Sequence, residues 1–183
     1  MTHRPGAHQR LYEIIREKSF VKGHVVLASG QESDHYFDMK PTMFDPEGAE
    51  LLAELILDRI DAYAPDLVGG LEMGAVPLIT PVSISSKRAG RAIPGFFVRK
   101  NVKEHGTKKL VEGVTDVAGK RVAIVEDVTT TGGSALKAVR ALQDAGAKVV
   151  VVISILDREG GASTVYADAQ IPFISLFKGS EFL

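Results

Sequence analysis

Apolar residues first recur at helical spacing at Leu11, Ile14 and Ile15, which predicts a helix over residues 7–18. The next helix announces its own start. Asp45 suits an N-cap, and Pro46 suits the first helical position, where a missing N–H costs nothing. Leu51, Leu52, Leu55, Ile56 and Ile60 then form one apolar stripe. Beyond it, short apolar runs predict strands at 67–69, 96–99, 121–125 and 149–156, with helices at 76–87 and 133–145 between them. Gly146 closes the second of those helices. Runs such as Val122-Ala123-Ile124-Val125 lack polar alternation, as strands of a parallel sheet covered on both faces do. The strand-helix-strand order predicts an α/β fold, a doubly wound, mostly parallel sheet flanked by helices. Residues 20–44 fall outside that scheme and read as a strand-rich hood. The expected organisation is one domain, with helix and hood in about 1–44 and the α/β core in about 45–183.

Composition narrows the classes. The 183 residues are 45% apolar and 25% charged, enough for a sizeable core and incompatible with a disordered chain. Lys and Arg number 22 against 23 Asp and Glu, so no global field draws nucleic acid or an acidic membrane. Any bound anion needs a local cluster. There is no cysteine, hence no disulfide and no thiolate metal site. No apolar run reaches membrane-spanning length, and the first residues lack a signal-peptide core, so a cytoplasmic protein with no membrane partner is expected.

The segment from Val122 to Ser134 carries the strongest chemical signal. An apolar strand runs into Glu126 and Asp127, then Val128, Thr129, Thr130, Thr131, Gly132, Gly133 and Ser134, and then a helix. Ligands of open α/β sheets sit beyond the carboxyl ends of strands. Hydroxyls, backbone N–H groups and a helix N-terminus there can cradle a phosphate. Carboxylates are poor phosphate ligands but good acceptors for ribose hydroxyls. A plain helix cap needs one hydroxyl and no acidic pair. Neither a Gly-Lys-Ser/Thr phosphate loop nor a Gly-x-Gly-x-x-Gly fingerprint is present. The loop therefore reads as a ribose 5-phosphate site.

Residues 122–134 resemble the signature of type I phosphoribosyltransferases, in which an acidic pair holds the ribose hydroxyls and the following loop the 5-phosphate. A basic run, Arg99-Lys100-Asn101-Val102-Lys103-Glu104-His105-Gly106-Thr107-Lys108-Lys109, follows a predicted strand. Such runs are mostly solvated loops. Here the flanking Gly106 and Gly113 suit a lid that closes on a pyrophosphate leaving group. The run resembles the Arg-Lys-x-x-Lys-x-His-Gly loop of the orotate phosphoribosyltransferase family. Ser29-Gly30-Gln31-Glu32-Ser33 with Tyr36-Phe37-Asp38 resembles that family's hood over the base, and Leu156-Asp157-Arg158 its Leu-Asp-Arg segment. Two departures stand out. Ala28 occupies the place of a common hood lysine, and residues 69–75 contain no lysine where many members have one.

The resemblance implies transfer of ribose 5-phosphate from 5-phosphoribosyl 1-pyrophosphate (PRPP) to orotate, in pyrimidine synthesis. It implies Lys103, His105 and Asp127 as catalytic residues. PRPP would be held by Arg99, Lys100, Lys103, His105 and the stretch from Glu126 through Asp127, Val128, Thr129, Thr130, Thr131, Gly132 and Gly133 to Ser134. Orotate would meet Thr130, Arg158, Tyr36 and Phe37. Arg158 has the fork geometry for a ring carboxylate; the plainer alternative is a surface arginine paired with Asp157 or Glu159. Adjacent strand residues point to opposite faces, so one of Tyr36 and Phe37 is expected in the core. Mg²⁺ is expected, held mainly by substrate and water rather than by protein ligands. A homodimer with shared sites is also implied. The alternatives are a phosphoribosyltransferase for another base and a non-catalytic regulator that binds PRPP.

Overall fold

The computed structural model describes residues 4–26, 32–101 and 109–183. Six strands form the main sheet in the order β5-β4-β3-β6-β7-β8. They are β3 (Leu67–Leu71), β4 (Gly95–Val98), β5 (Val111–Glu112), β6 (Arg121–Thr129), β7 (Lys148–Asp157) and β8 (Phe173–Lys178). All neighbours pair in parallel except β4 and β5. Helices α3 (Pro46–Ile60) and α4 (Val76–Arg88) cover one face, with α1 (Ala7–Lys18) packed against α3. Helices α5 (Gly133–Asp144) and α6 (Ala162–Asp168) cover the other. Burial on both sides explains the unbroken apolar runs: Val122 to Val125 have no solvent exposure.

The helix starts follow the chemistry read from the sequence. Asp45 sits in an extended conformation and its carboxylate accepts from the Gly48 N–H at 2.9 Å, with Pro46 in the first turn. Lys18 Nζ reaches the same carboxylate at 2.6 Å and ties α1 to this cap. The strand ends differ from expectation. β6 continues through Thr129 because Glu126, Val128 and Thr129 pair with Ser154, Leu156 and Asp157 of β7. Both acidic residues therefore lie within a strand, not in the loop after it.

The hood is an antiparallel hairpin of β1 (Phe20–Val26) and β2 (Glu32–Phe37), followed by the short α2 (Lys40–Met43). An aromatic cluster seats it on the core. The rings of Phe20, Phe37 and Phe182 lie 5.0–6.0 Å apart, and Tyr12 stacks on Phe182 at 4.6 Å. Phe182 belongs to a 3₁₀ turn, Gly179–Phe182, that follows β8. Neither β5, α6 nor β8 is anticipated by the sequence pattern.

Candidate active site

The carboxyl ends of β3, β6 and β7 meet at one edge of the sheet, and each contributes a different group. After β3 the chain turns through 72–75 into α4. Gly74 lies so close to Asp127 that a Cβ there would stand 2.6 Å from its Oδ1. With glycine there, the carboxylate can keep this position; a larger residue would push it aside. The Asp127 carboxylate also accepts from its neighbour's amide, Val128 N–H, at 2.8 Å. Strand alternation sends Glu126 to the opposite face, toward α5 and α6. There it is 5% exposed, and burial, helped by the Asp127 charge, pushes its carboxyl up to about 8 against the pull of Lys100. At neutral pH Glu126 is thus mainly neutral beside the loop that follows β6. The two acidic residues are neighbours in sequence with different environments.

The loop after β6 keeps its donors free. Gly132, at φ 79°, is the residue that caps α5, and no side-chain hydroxyl does so. Among the described residues, the backbone N–H groups of Thr130 through Ala135 have no acceptor; the first helical bond is Leu136 N–H to Gly132 O at 3.1 Å. Together with Ser134 and the threonines they line a cavity of about 120 Å³ that Glu126 and Tyr166 close from below. Six such donors at a helix N-terminus suit an anion. A larger cavity, about 380 Å³, lies beside β5 and the end of α5, away from this chemistry.

At the end of β7, Arg158 is half-buried. Its possible acidic partners are engaged elsewhere: Asp157 accepts from Glu159 N–H at 2.8 Å, and Glu159 from Ser180 N–H at 3.0 Å. Among the described residues the guanidinium has no hydrogen-bond or ion-pair partner, which removes the reading of a surface ion pair. The following turn packs on the phosphate loop, since a Cβ on Gly160 would meet the Thr130 backbone oxygen at 2.9 Å. Thr130 accordingly joins the turn after Arg158 to the loop of free amides.

The cationic residues divide. Arg99 is half-buried and its guanidinium lies 3.9 Å from the Glu112 carboxylate of β5. Lys100 is anchored by its amide, which donates to Glu72 at 3.0 Å. Lys103 and His105 lie outside the described residues, as do Ala28, Ser29, Gly30 and Gln31 of the hood. Of the two hood aromatics, Phe37 is the core residue, 3% exposed within the aromatic cluster, while Tyr36 is 38% exposed. The pairing of β1 with β2 turns Phe37 inward, so its expected contact with a base is corrected: only Tyr36 is available. Sequence reasoning missed Lys40. Its ammonium pairs with Asp38 at 2.6 Å, and its charge interacts with Tyr36 and Asp127. The one available signal was a lysine just past the hood of a chain whose usual hood lysine is Ala28.

A parallel sheet with an acidic strand end, a cradle of free amides and an unpaired arginine defines a protein that holds a phosphorylated sugar beside an anionic partner. The phosphoribosyl transferase domain matches residues 43–175. Orotate phosphoribosyltransferase of Rhodopseudomonas palustris (strain BisB5) is 54% identical over 177 residues, 95% of each chain. That of Bradyrhizobium sp. (strain BTAi1) is 55% identical over 95% of this chain and 96% of its own. The structure of Mycobacterium tuberculosis orotate phosphoribosyltransferase in complex with PRPP superposes with a TM-score of 0.81 at 33% identity, over 96% of this chain and 98% of that one. The chain belongs to the phosphoribosyl transferase family and, within it, to the orotate phosphoribosyltransferases; it is a transferase. No helix among the described residues is long and apolar enough to cross a membrane.

Proposed function

We infer that the chain transfers ribose 5-phosphate from PRPP to N1 of orotate, releasing pyrophosphate and forming orotidine 5′-monophosphate, a step of pyrimidine nucleotide synthesis. The observation that carries the choice of base is Arg158. A half-buried guanidinium whose acidic neighbours are otherwise engaged suits a carboxylate, and orotate brings one on a planar ring. Thr130 packs against the turn that follows Arg158, and Tyr36 is the exposed aromatic the hood offers to the base.

In this reading the amides and hydroxyls of residues 129–134 hold the 5-phosphate, and Asp127 accepts from the ribose hydroxyls. Glu126, neutral near pH 7, adds no repulsion to the phosphate and can donate a hydrogen bond. As the C1′–O bond breaks, positive charge grows on the sugar and negative charge on the departing pyrophosphate, which leaves with the electron pair. Orotate N1 then bonds to C1′. No covalent intermediate with the protein is needed; positioning and electrostatics lower the barrier. Arg99 and Lys100 stand near the leaving group, and the lid residues Lys103 and His105 complete that charge. Lys40 adds a cation on the Asp127 side. Val128 contributes backbone only.

Among the described residues no group of three or more His, Asp or Glu gathers to cage a metal. Asp127 is the carboxylate that would share Mg²⁺ through substrate oxygens and water, as that ion prefers. When bound, Mg²⁺ would offset pyrophosphate charge. The donor's charge keeps it inside the cell, which puts the enzyme in the cytoplasm.

The same reading makes one domain of hood and core and pairs two chains into a homodimer, with lids crossing between subunits. Orotate-dependent release of pyrophosphate from PRPP tests the reaction; release with uracil or adenine instead, or binding without turnover, would select one of the alternatives. Mixing Lys103→Ala and Asp127→Asn chains tests sharing. Random exchange should restore about a quarter of wild-type activity if lids act across the dimer, and none if they act within one chain.

A further inference from the structure

We propose that Tyr166 is a positioning residue for the 5-phosphate: its hydroxyl braces the turn at Gly132 and so aims the loop's free amides at the anion. The inference rests on residues 129–134 being the phosphate cradle. Tyr166 comes from α6, on the far side of β7, and is fully buried with its ring tilted against Phe173 at 4.8 Å. Its hydroxyl donates to Gly132 O at 3.2 Å. That carbonyl also accepts from Leu136 N–H, the first bond of α5. One oxygen therefore joins the helix start, the loop and a side chain 34 positions away.

The contact also accounts for the residue at 132. A Cβ there would lie 3.0 Å from Tyr166 Cζ and 3.1 Å from its hydroxyl, and the backbone is left-handed at φ 79°. Ring and glycine are complementary shapes. Without the hydroxyl, the turn keeps only its helical bond and can rotate, taking the amides of Thr131 to Ser134 with it. Burial raises the phenol well above its ordinary value, so it remains a donor throughout the working pH range.

Tyr166→Phe keeps the ring, and Gly132 O retains Leu136 as partner, so the variant should fold. Ribose 5-phosphate and pyrophosphate, each competing with PRPP, separate the two ends of the donor. The expected result is a three- to tenfold (approximately) weaker inhibition by ribose 5-phosphate and a matching rise in KM for PRPP. Pyrophosphate inhibition, KM for orotate and melting temperature should stay near wild type. Gly132→Ala, which strains the loop directly, is measured in parallel. If Gly132→Ala weakens ribose 5-phosphate and Tyr166→Phe does not, the positioning role is overturned while the cradle stands. If neither weakens it, the cradle assignment itself falls. Equal weakening of both inhibitors, or loss of the fold, in Tyr166→Phe would make Tyr166 a general core residue and overturn the proposal.

Discussion

The backbone N–H of Arg158 donates to Thr129 O at 2.8 Å, so the residue proposed to face the base and the residue that opens the proposed phosphate loop are neighbours across one ladder. The two main chains there lie one strand spacing apart, about 4.8 Å.

Arg158→Ala should raise KM for orotate about ten- to a hundredfold, as loss of a charge-assisted contact does, with KM for PRPP little changed. Arg158→Lys should recover only part, since an ammonium cannot form the paired fork. Steady-state kinetics with each substrate varied check this. Equal effects on both substrates would make Arg158 structural.

The raised pKa of Glu126 couples stability to pH. The folded protein keeps this proton up to about 8, whereas the unfolded chain gives it up near 4.5. The stabilising effect of the neutral carboxyl is therefore complete below about pH 4.5 and is lost as pH rises through about 8. The slope is at most about 1.4 kcal/mol per pH unit. Glu126→Gln removes the titrating group, so ligand-free melting temperatures of variant and wild type should diverge in the variant's favour from pH 5 to pH 9. Parallel melting curves would contradict this.

Gly74→Ala should impair PRPP use without unfolding the protein. Its methyl group would displace the Asp127 carboxylate, which stands 2.6 Å from the built Cβ. A roughly tenfold or larger loss in kcat/KM for PRPP, similar to that of Asp127→Asn, is expected from a misplaced charged acceptor. Wild-type kinetics in the folded variant would mean the loop yields freely.

Phe182→Ala should cost about 3–5 kcal/mol, because the ring is buried against Tyr12, Phe37 and Phe177. Denaturant unfolding measures it. Amide exchange should then rise in β1 and β2 more than in β6, since the cluster seats the hood. Uniform change across both sheets would refute that selectivity.

Much of the fold is legible from the chain. Runs 122–125 and 149–152 show no alternation because helices cover both faces, and Asp45-Pro46 marks α3 by capping alone. Strand ends are less legible, since Glu126 to Thr129 are held in β6 by their partners in β7 and not by their own composition. β5 is two residues long, and α6 shows no extended stripe. The phosphate loop is readable because its donors are contiguous. Tyr166 and Lys40 are not, because packing alone brings them to the loop and to Asp127. The alternation of Tyr36 and Phe37 was plain, but only the aromatic cluster says which ring turns inward.

Gly74, Asp127 and Arg158 lie far apart along the chain and meet only where β3, β6 and β7 align. Each alignment is a parallel pairing across a helical crossover, the slowest kind of contact for a chain to close. The amides after β6 are contiguous and can form locally, but Gly74 and Arg158 reach them only through both pairings. Recovery of the complete pocket during refolding should therefore follow alignment of β3 and β7 on β6.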